Sequence, residues 1–423
     1  MKYKKTTLPN GLRIITVSTK GNPSVMVMVS VETGSNYETK AENGLSHFLE
    51  HMCFKGTVKR PKASDIAQEL DNLGAENNAL TYNEWTSYYA KAAKKHFLKL
   101  FEIVSDLYLN PTLPAKDLEI ERGVILQELN MYEDLPQRKV WDVLYKLLYG
   151  DTPAGRAIIG PKGNIKGFSR KNFVDYREKH YVASKTIITV AGDFDEKEVL
   201  KETNKYFSKV KSAKRLNKLP VKHKQNKPAL LVEQKKTDQT HMVIALHAFG
   251  AKDRRLPALN MIAEILGQGM SSRLFHRLRD EMGACYYVKA FTDVYTDHGL
   301  LAITVGVDPS RTTEVVKAVL DECDKLCRFA VSESELNKAK EHYVGHLFMD
   351  LETTDSMATF YIEQEIHTTM LKSPQEIEKE VRKVTSQDVM KIAKGIFRNA
   401  NLNLAIVGNI SNSSSIKKML SFN

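Results

Sequence analysis

The segment His47-Phe-Leu-Glu50-His51 sets two imidazoles and a carboxylate at positions i, i+3 and i+4, a spacing at which side chains of an α-helix share one face. Neutral imidazole is a favoured zinc ligand, and two of them one turn apart suit a tetrahedral ion. A carboxylate beside such an ion can take the proton of a water molecule that the ion acidifies, which is general-base chemistry at neutral pH. The spacing points to His47 and His51 as ligands of Zn2+ and to Glu50 as the base. The other reading is an amphipathic helix with surface histidines. With 12 histidines and 51 acidic residues in 423, the pattern arises by accident roughly 0.04 times in such a chain. Coincidence is disfavoured.

A catalytic zinc site needs a third protein ligand. The segment Glu119-Ile-Glu121-Arg-Gly-Val-Ile-Leu-Gln-Glu128-Leu supplies a candidate. Ile120, Val124, Ile125, Leu126 and Leu129 are expected to cover most of this helix, which turns Glu121 and Glu128, two turns apart, toward protein. Buried carboxylates need partners. A zinc ion for Glu128 and a ligand-orienting hydrogen bond for Glu121 would meet that need, although surface glutamates on a long helix fit the same residues.

These side chains must be held by a fold. Between Glu42 and Gly56 the apolar residues Leu45, Phe48, Leu49 and Met52 fall at i, i+3, i+4 and i+7. They mark the core face of the metal-bearing helix, with Gly56 as its stop. A weak internal repeat spans the chain. Ile188-Thr-Val-Ala-Gly192 and Leu404-Ala-Ile-Val-Gly408 each read as a buried strand closing on glycine, 216 positions apart. The strand Val25 to Val31 matches Met242 to His247, and the helix after Pro114 matches the helix after Ser334. Each half reads strand, strand, helix, strand, long helices, strand, helix. This predicts an α+β protein of two homologous domains, each a mixed, largely antiparallel sheet packed with helices. The expected division is 1–208 as the metal-binding domain, 209–228 as a linker and 229–423 as the second domain. The second half lacks the metal apparatus: with Gly56 aligned on Gly269, His47, Glu50 and His51 fall on Asn260, Ala263 and Glu264.

Composition narrows the function. A net charge of +11 invites a nucleic-acid partner. Yet eight Lys or Arg lie between Lys209 and Lys227 with no acidic residue among them, without interleaved aromatics or a nucleic-acid motif. A solvated linker is the reading preferred, with no nucleic acid and no membrane as partner. No run of about twenty apolar residues exists to span a bilayer. The opening Met-Lys-Tyr-Lys-Lys leads into Thr-Thr-Leu-Pro-Asn-Gly rather than an apolar signal, and a cytoplasmic protein is expected. The four cysteines, Cys53, Cys285, Cys323 and Cys327, are expected as reduced, packed thiols.

The inverted motif His-x-x-Glu-His, the glutamate 77 positions after its second histidine and another glutamate seven residues earlier resemble the pitrilysin (M16) family, the inverted zincins. The flanking Gly44-Leu-Ser-His-Phe-Leu-Glu-His-Met-Cys-Phe-Lys-Gly-Thr57 is most similar to the family branch of the mitochondrial processing peptidase beta subunit and its single-subunit bacterial relatives. The resemblance covers essentially the whole chain. It implies His47, His51 and Glu128 as ligands of one Zn2+, Glu50 as general base and Glu121 as a supporting acid. Glu76-Asn-Asn78-Ala79-Leu-Thr resembles the family's edge strand, where a substrate peptide adds as a further strand with Asn78 and Ala79 facing the scissile bond.

In the second half, Ser271-Ser-Arg-Leu-Phe-His-Arg-Leu-Arg279-Asp-Glu-Met-Gly-Ala-Cys-Tyr286 resembles the segment whose arginine and tyrosine hold substrate, here Arg279 and Tyr286, with Cys285 a mild departure. Physically, tyrosine can stabilise an oxyanion and arginine can bind a peptide carbonyl, while packing or a surface ion pair would explain both residues equally well. The resemblance further implies a homodimer, or a heterodimer, that encloses unfolded peptides in a chamber. Presequence-like peptides or degradation products are the expected substrates. A non-catalytic core-subunit-like interaction protein would share the fold; its mark would be a damaged motif, and this motif is whole.

Overall fold

Strands at 13–18, 24–31 and 186–192 are apolar on consecutive rather than alternate residues, which is what a sheet covered on both faces requires. The computed structural model describes residues 2–411 and 413–422. The first half runs β1 (Lys2–Thr7), β2 (Arg13–Ser18), β3 (Ser24–Val31), α1 (Leu45–Cys53), α2 (Ala63–Asn72), β4 (Glu76–Thr81), β5 (Thr86–Ala93), α3 (Phe97–Leu109), α4 (Ala115–Asp134), α5 (Pro136–Tyr149), α6 (Lys162–Gly167), α7 (Arg170–His180), β6 (Thr186–Gly192) and α8 (Glu196–Phe207). The second runs β7 (Ala229–Gln234), β8 (Thr240–Ala248), α9 (Leu256–Gly267), α10 (Arg273–Phe275), β9 (Cys285–Val294), β10 (Gly299–Val307), α11 (Thr312–Arg328), α12 (Glu333–Asp350), α13 (Thr354–His367), α14 (Pro374–Arg382), α15 (Ser386–Ile396), β11 (Leu402–Gly408) and α16 (Ser413–Met419). The fold is α+β, and the order of elements repeats between the halves, but two strands (β4–β5 and β9–β10) stand where the sequence pattern predicts one, and β1 is an additional strand of the first half.

The two sheets share a topology. One has the order β1-β2-β6-β3-β5-β4 and the other β7-β11-β8-β10-β9. Each contains one parallel pair, β2 with β6 and β7 with β11, and is otherwise antiparallel. In those parallel pairs Arg13 faces Ile187 and Ala229 faces Asn403, the same register carried forward by 216 positions.

The compact units do not follow the continuous division into 1–208 and 229–423. One unit comprises the residues through Asn130, Arg156–Leu219 and Asp350–Ser373; the other comprises Met131–Gly155, Pro220–Met349 and the chain from Pro374. Each half thus lends one helix to the other's sheet. Val140, Val143, Leu144 and Leu148 of α5 pack on Val243, Ala245, Leu300, Ala302, Ala405 and Val407, one face of the second sheet. The alternate residues Met242, Ile244, Leu301, Ile303, Leu404 and Ile406 feed the core on its opposite face. Reciprocally, α13 buries Met357, Ala358, Tyr361, Ile362 and Ile366 and lies against β2, β3 and β6. Its Glu365, fully buried, pairs with Arg13 at 2.9 Å and Lys5 at 2.6 Å. A sequence pattern shows that a helix has an apolar face, not which sheet receives it.

The basic segment 209–228 has no helix or strand, but it is not a solvated linker along its length. Arg215 pairs with the buried Glu32 at 2.6 Å in one unit, and Val221 N–H donates to Asp297 at 2.9 Å in the other. All four cysteines are free thiols, Cys53 and Cys323 fully buried. Among the described residues no helix is long and apolar enough to cross a membrane.

Candidate metal centre

α1 buries Leu45, Phe48, Leu49 and Met52, the stripe anticipated from their spacing. It ends at Cys53, before Gly56, and carries His47, Glu50 and His51 on its remaining side. α4 approaches that side. Its Ile120 and Val124 are exposed, so the helix is less enclosed than its apolar content suggested; Leu118, Glu121, Ile125 and Leu129 form the buried stripe. Glu121, on that stripe, is 4% exposed.

His47, His51 and Glu128 each bring a ligand atom within 4.8 Å of the others. The Nε2 atoms of His47 and His51 stand 3.6 and 3.7 Å from the same oxygen of Glu128, Oε2. Those separations exceed hydrogen-bonding range. Ligands at about 2.0–2.2 Å from a tetrahedral zinc lie roughly 3.3–3.5 Å apart. The donor set, two imidazoles and one carboxylate, and its spacing therefore fit zinc, with a fourth position left for substrate or water.

The surrounding side chains orient these donors. His51 Nδ1 meets Glu121 Oε1 at 2.7 Å, which fixes the ring and directs Nε2 toward Glu128. Lys55, one turn beyond His51, holds the other oxygen of Glu121 at 2.5 Å. Burial works to raise the Glu121 carboxyl, but the hydrogen bonds from His51 and Lys55 prevail and hold it below the ordinary range. Glu121 is thus an anion that supports His51. Burial also acts to lower the His51 imidazole, and the Glu121 hydrogen bond with Glu50 and Glu128 nearby raises it on balance.

Glu50 accepts a hydrogen bond from Thr81 Oγ1 on β4. Its carboxyl is pushed up to about 6, first by burial and also by the neighbouring Glu128, against the lowering effects of Thr81 and His51. A carboxylate so raised is a stronger proton acceptor than an exposed one. The two helices and the strand together place a base beside a three-ligand set.

Two family models match the chain: "Insulinase (Peptidase family M16)" over residues 13–162 and "Peptidase M16 inactive domain" over 167–343. An uncharacterised zinc protease of Bacillus subtilis, YmxG, is 31% identical over 93% of this chain and 95% of its own. The chain belongs to the M16 family of zinc metallopeptidases. An uncharacterised zinc protease of Rickettsia felis is 30% identical over 95% of this M16 chain and 96% of its own. The fold is that of a crystal structure of a Helicobacter pylori protease, with a TM-score of 0.88 at 21% identity over 96% of this chain and 99% of that one.

The other expected M16 site residues fall in two places. Asn78 and Ala79 lie on β4, the edge of the first sheet, whose Thr81 reaches Glu50. Asn78 is exposed and its Oδ1 accepts from Ala79 N–H at 2.9 Å. Arg279 and Tyr286 belong to the second unit and lie together there. Arg279 donates to the Tyr286 carbonyl at 2.9 Å and its guanidinium stands 5.4 Å from that ring, which is 74% exposed. Sequence reasoning missed Lys55 and Thr81. Lys55 carried a signal, being four residues after His51, although it lies in the turn just beyond the end of α1; Thr81 stood in the edge-strand segment with nothing local to tie it to Glu50.

Proposed function

We propose that the chain is a zinc-dependent metalloendopeptidase that hydrolyses unfolded peptides. The observation that carries this is the convergence of His47, His51 and Glu128 on one point with Glu50 beside it. Held by those three residues, zinc would supply Lewis acidity toward a peptide carbonyl and toward water. Glu50 takes the proton of the attacking water and returns it to the departing amine nitrogen. Glu121 and Lys55 keep His51 in its pose. The edge strand β4 offers backbone groups to an extended peptide, which it would bind as an added strand along Asn78 and Ala79.

The working form is a homodimer, with a heterodimer of related chains as the alternative, enclosing peptide in a chamber to which Arg279 and Tyr286 contribute contacts. Presequence-like peptides and degradation products are the substrate classes, in keeping with the processing-peptidase resemblance around α1. The compartment is the cytoplasm, and neither nucleic acid nor membrane is a partner.

The deciding experiment measures zinc per chain and cleavage of a quenched peptide library for the parent and Glu50→Gln. Retained zinc with cleavage reduced by about 10²–10⁴ is expected; full activity in the variant overturns the mechanism. Sedimentation of the active species tests the assembly, and an active monomer overturns the dimer.

A further inference from the structure

α1 begins without a cap of its own. Gly44 at its N-cap has no side chain to offer, and the first turn of the helix holds no acidic residue. The first N–H groups of a helix lack intrahelical acceptors, and burying them unpaired is costly. Here the acceptor comes from six to eight residues upstream. Glu38, 2% exposed, accepts from Gly44 N–H at 2.9 Å and from Asn43 Nδ2 at 3.2 Å through Oε2, and from Ser46 N–H at 2.7 Å through Oε1.

The surroundings leave this start no alternative position. Gly44 has φ +99°, and a Cβ there would come within 2.6 Å of the Ile159 carbonyl oxygen, so the chain enters the helix through a point that only glycine fits. Asn43 donates a second hydrogen bond, at 3.0 Å, to the Ala157 carbonyl. The Ser46 hydroxyl meets Tyr176 at 2.7 Å, and Tyr176 meets Thr33 at 2.9 Å. His47 is the next residue. Burial pushes the Glu38 carboxyl up, against the lowering effect of its hydrogen bonds from Ser46, Gly44 and Asn43. A fully buried carboxyl that accepts from two backbone amides and one side-chain amide fixes where the first turn lies and hence where His47 points.

We propose that Glu38 is a positioning residue of the metal centre: it caps α1 from a distance and sets the pose of His47, so that metal affinity depends on a residue that touches no metal. This rests on the zinc reading of the site. Removing a direct hydrogen-bond partner of a ligand typically costs about 10–100-fold in metal affinity, and the effect of Glu38, which acts through the start of the helix that carries the ligand, is set against that scale.

Glu38→Gln keeps the volume but turns a donor toward the donors of Gly44, Ser46 or Asn43. The test measures zinc affinity by chelator competition, and the absorption spectrum of the cobalt-substituted protein, for the parent and Glu38→Gln. Glu365→Gln, a buried carboxylate on α13, is the control for general loosening. Zinc affinity of Glu38→Gln lower by about 10–100-fold with a changed cobalt spectrum is expected, while Glu365→Gln lowers the melting temperature and moves neither readout. Unchanged affinity and spectrum in a folded Glu38→Gln overturn the proposal, as does an equal loss in the control. If Glu38→Gln is recovered only unfolded, Glu38→Asp, which keeps the carboxyl but shortens the reach, is judged by the same two readouts. A parent that binds no zinc defeats the zinc reading itself, a result distinct from a zinc-binding parent that Glu38 does not influence.

Discussion

The two halves face the same local problem, a side-chain contact between the helix that follows β3 or its counterpart β8 and a long helix further on, and solve it differently. On α1 and α4 the imidazoles of His47 and His51 stand 3.6 and 3.7 Å from one oxygen of Glu128, too far for a hydrogen bond. On α9 and α12 the chemistry is reversed: Glu264, aligned with His51, accepts directly from His342 Nδ1 at 2.8 Å. A Cβ on Gly269 would meet His342 Nε2 at 2.9 Å, so that nitrogen is turned against backbone. In the first set His51 is held from behind by Glu121, itself held by Lys55. In the second half the residue seven before His342 is Glu335, and it is committed to Arg273 at 2.7 and 2.8 Å. A ligand set is thus a cluster whose donors are restrained from satisfying one another.

That contrast can be broken in several ways. The largest effect should come from Glu128→Ala, which removes a ligand: zinc per chain after dialysis should fall from about one toward none, whereas His342→Ala should leave it unchanged. Zinc lost from both variants would mean that the halves are not functionally distinct.

Core truncation tests the exchange of helices. Leu144→Ala on α5 and Ile362→Ala on α13 should each destabilise the protein by about 2–5 kcal/mol in urea unfolding. Leu144→Ala should act on the unit containing β8 and β11, although its residue number lies in the first half. A loss confined to the first sheet, read by hydrogen exchange, would contradict the packing described.

Acid should weaken both units. His247 is 4% exposed, stacked on His223 at 4.1 Å, and burial, with His223 and His298 adding, holds its imidazole down at about 4. The unfolded chain, with an ordinary histidine near 6.5, binds a proton that the folded chain refuses. Stability is therefore lost as pH falls from about 6.5 toward 4, by about 3 kcal/mol from this residue. His180, lowered to about 3 by burial and then by Lys185 and Lys179, acts with the same sign in the other unit. Urea midpoints at pH 7 and 4.5 should differ less in His247→Gln than in the parent; an equal drop in both would discount His247.

The smallest predicted contrast lies in the supporting acids. Glu121→Gln should weaken zinc binding by about 10–100-fold, roughly 1.4–2.7 kcal/mol, and Glu264→Gln should not move it. A titration with a chromophoric chelator separates the two.

Much of the centre was legible in the sequence because α-helical spacing is local. His47, Glu50 and His51 share a face by their separations alone, and Glu121 with Glu128 follows from the same arithmetic on a second helix. The strands of both halves were legible because short apolar runs closing on Gly192 and Gly408 repeat at a fixed offset. What escaped were contacts between elements. Glu38 bonds across a loop to Gly44 and Ser46, Thr81 reaches Glu50 from a strand, and α5 and α13 are received by sheets that lie elsewhere in the chain.

The sequence by itself determined which residues could hold zinc, which carboxylate could act as a base, and that the chain repeats, since all three depend on periodicity and side-chain chemistry. Only the tertiary structure decided that Glu128 faces both imidazoles, that Glu121 and Lys55 hold His51 while Thr81 holds Glu50, and that each unit borrows a helix from the other half. Those facts depend on which buried surfaces meet, and an apolar stripe specifies that it must be covered without specifying by what.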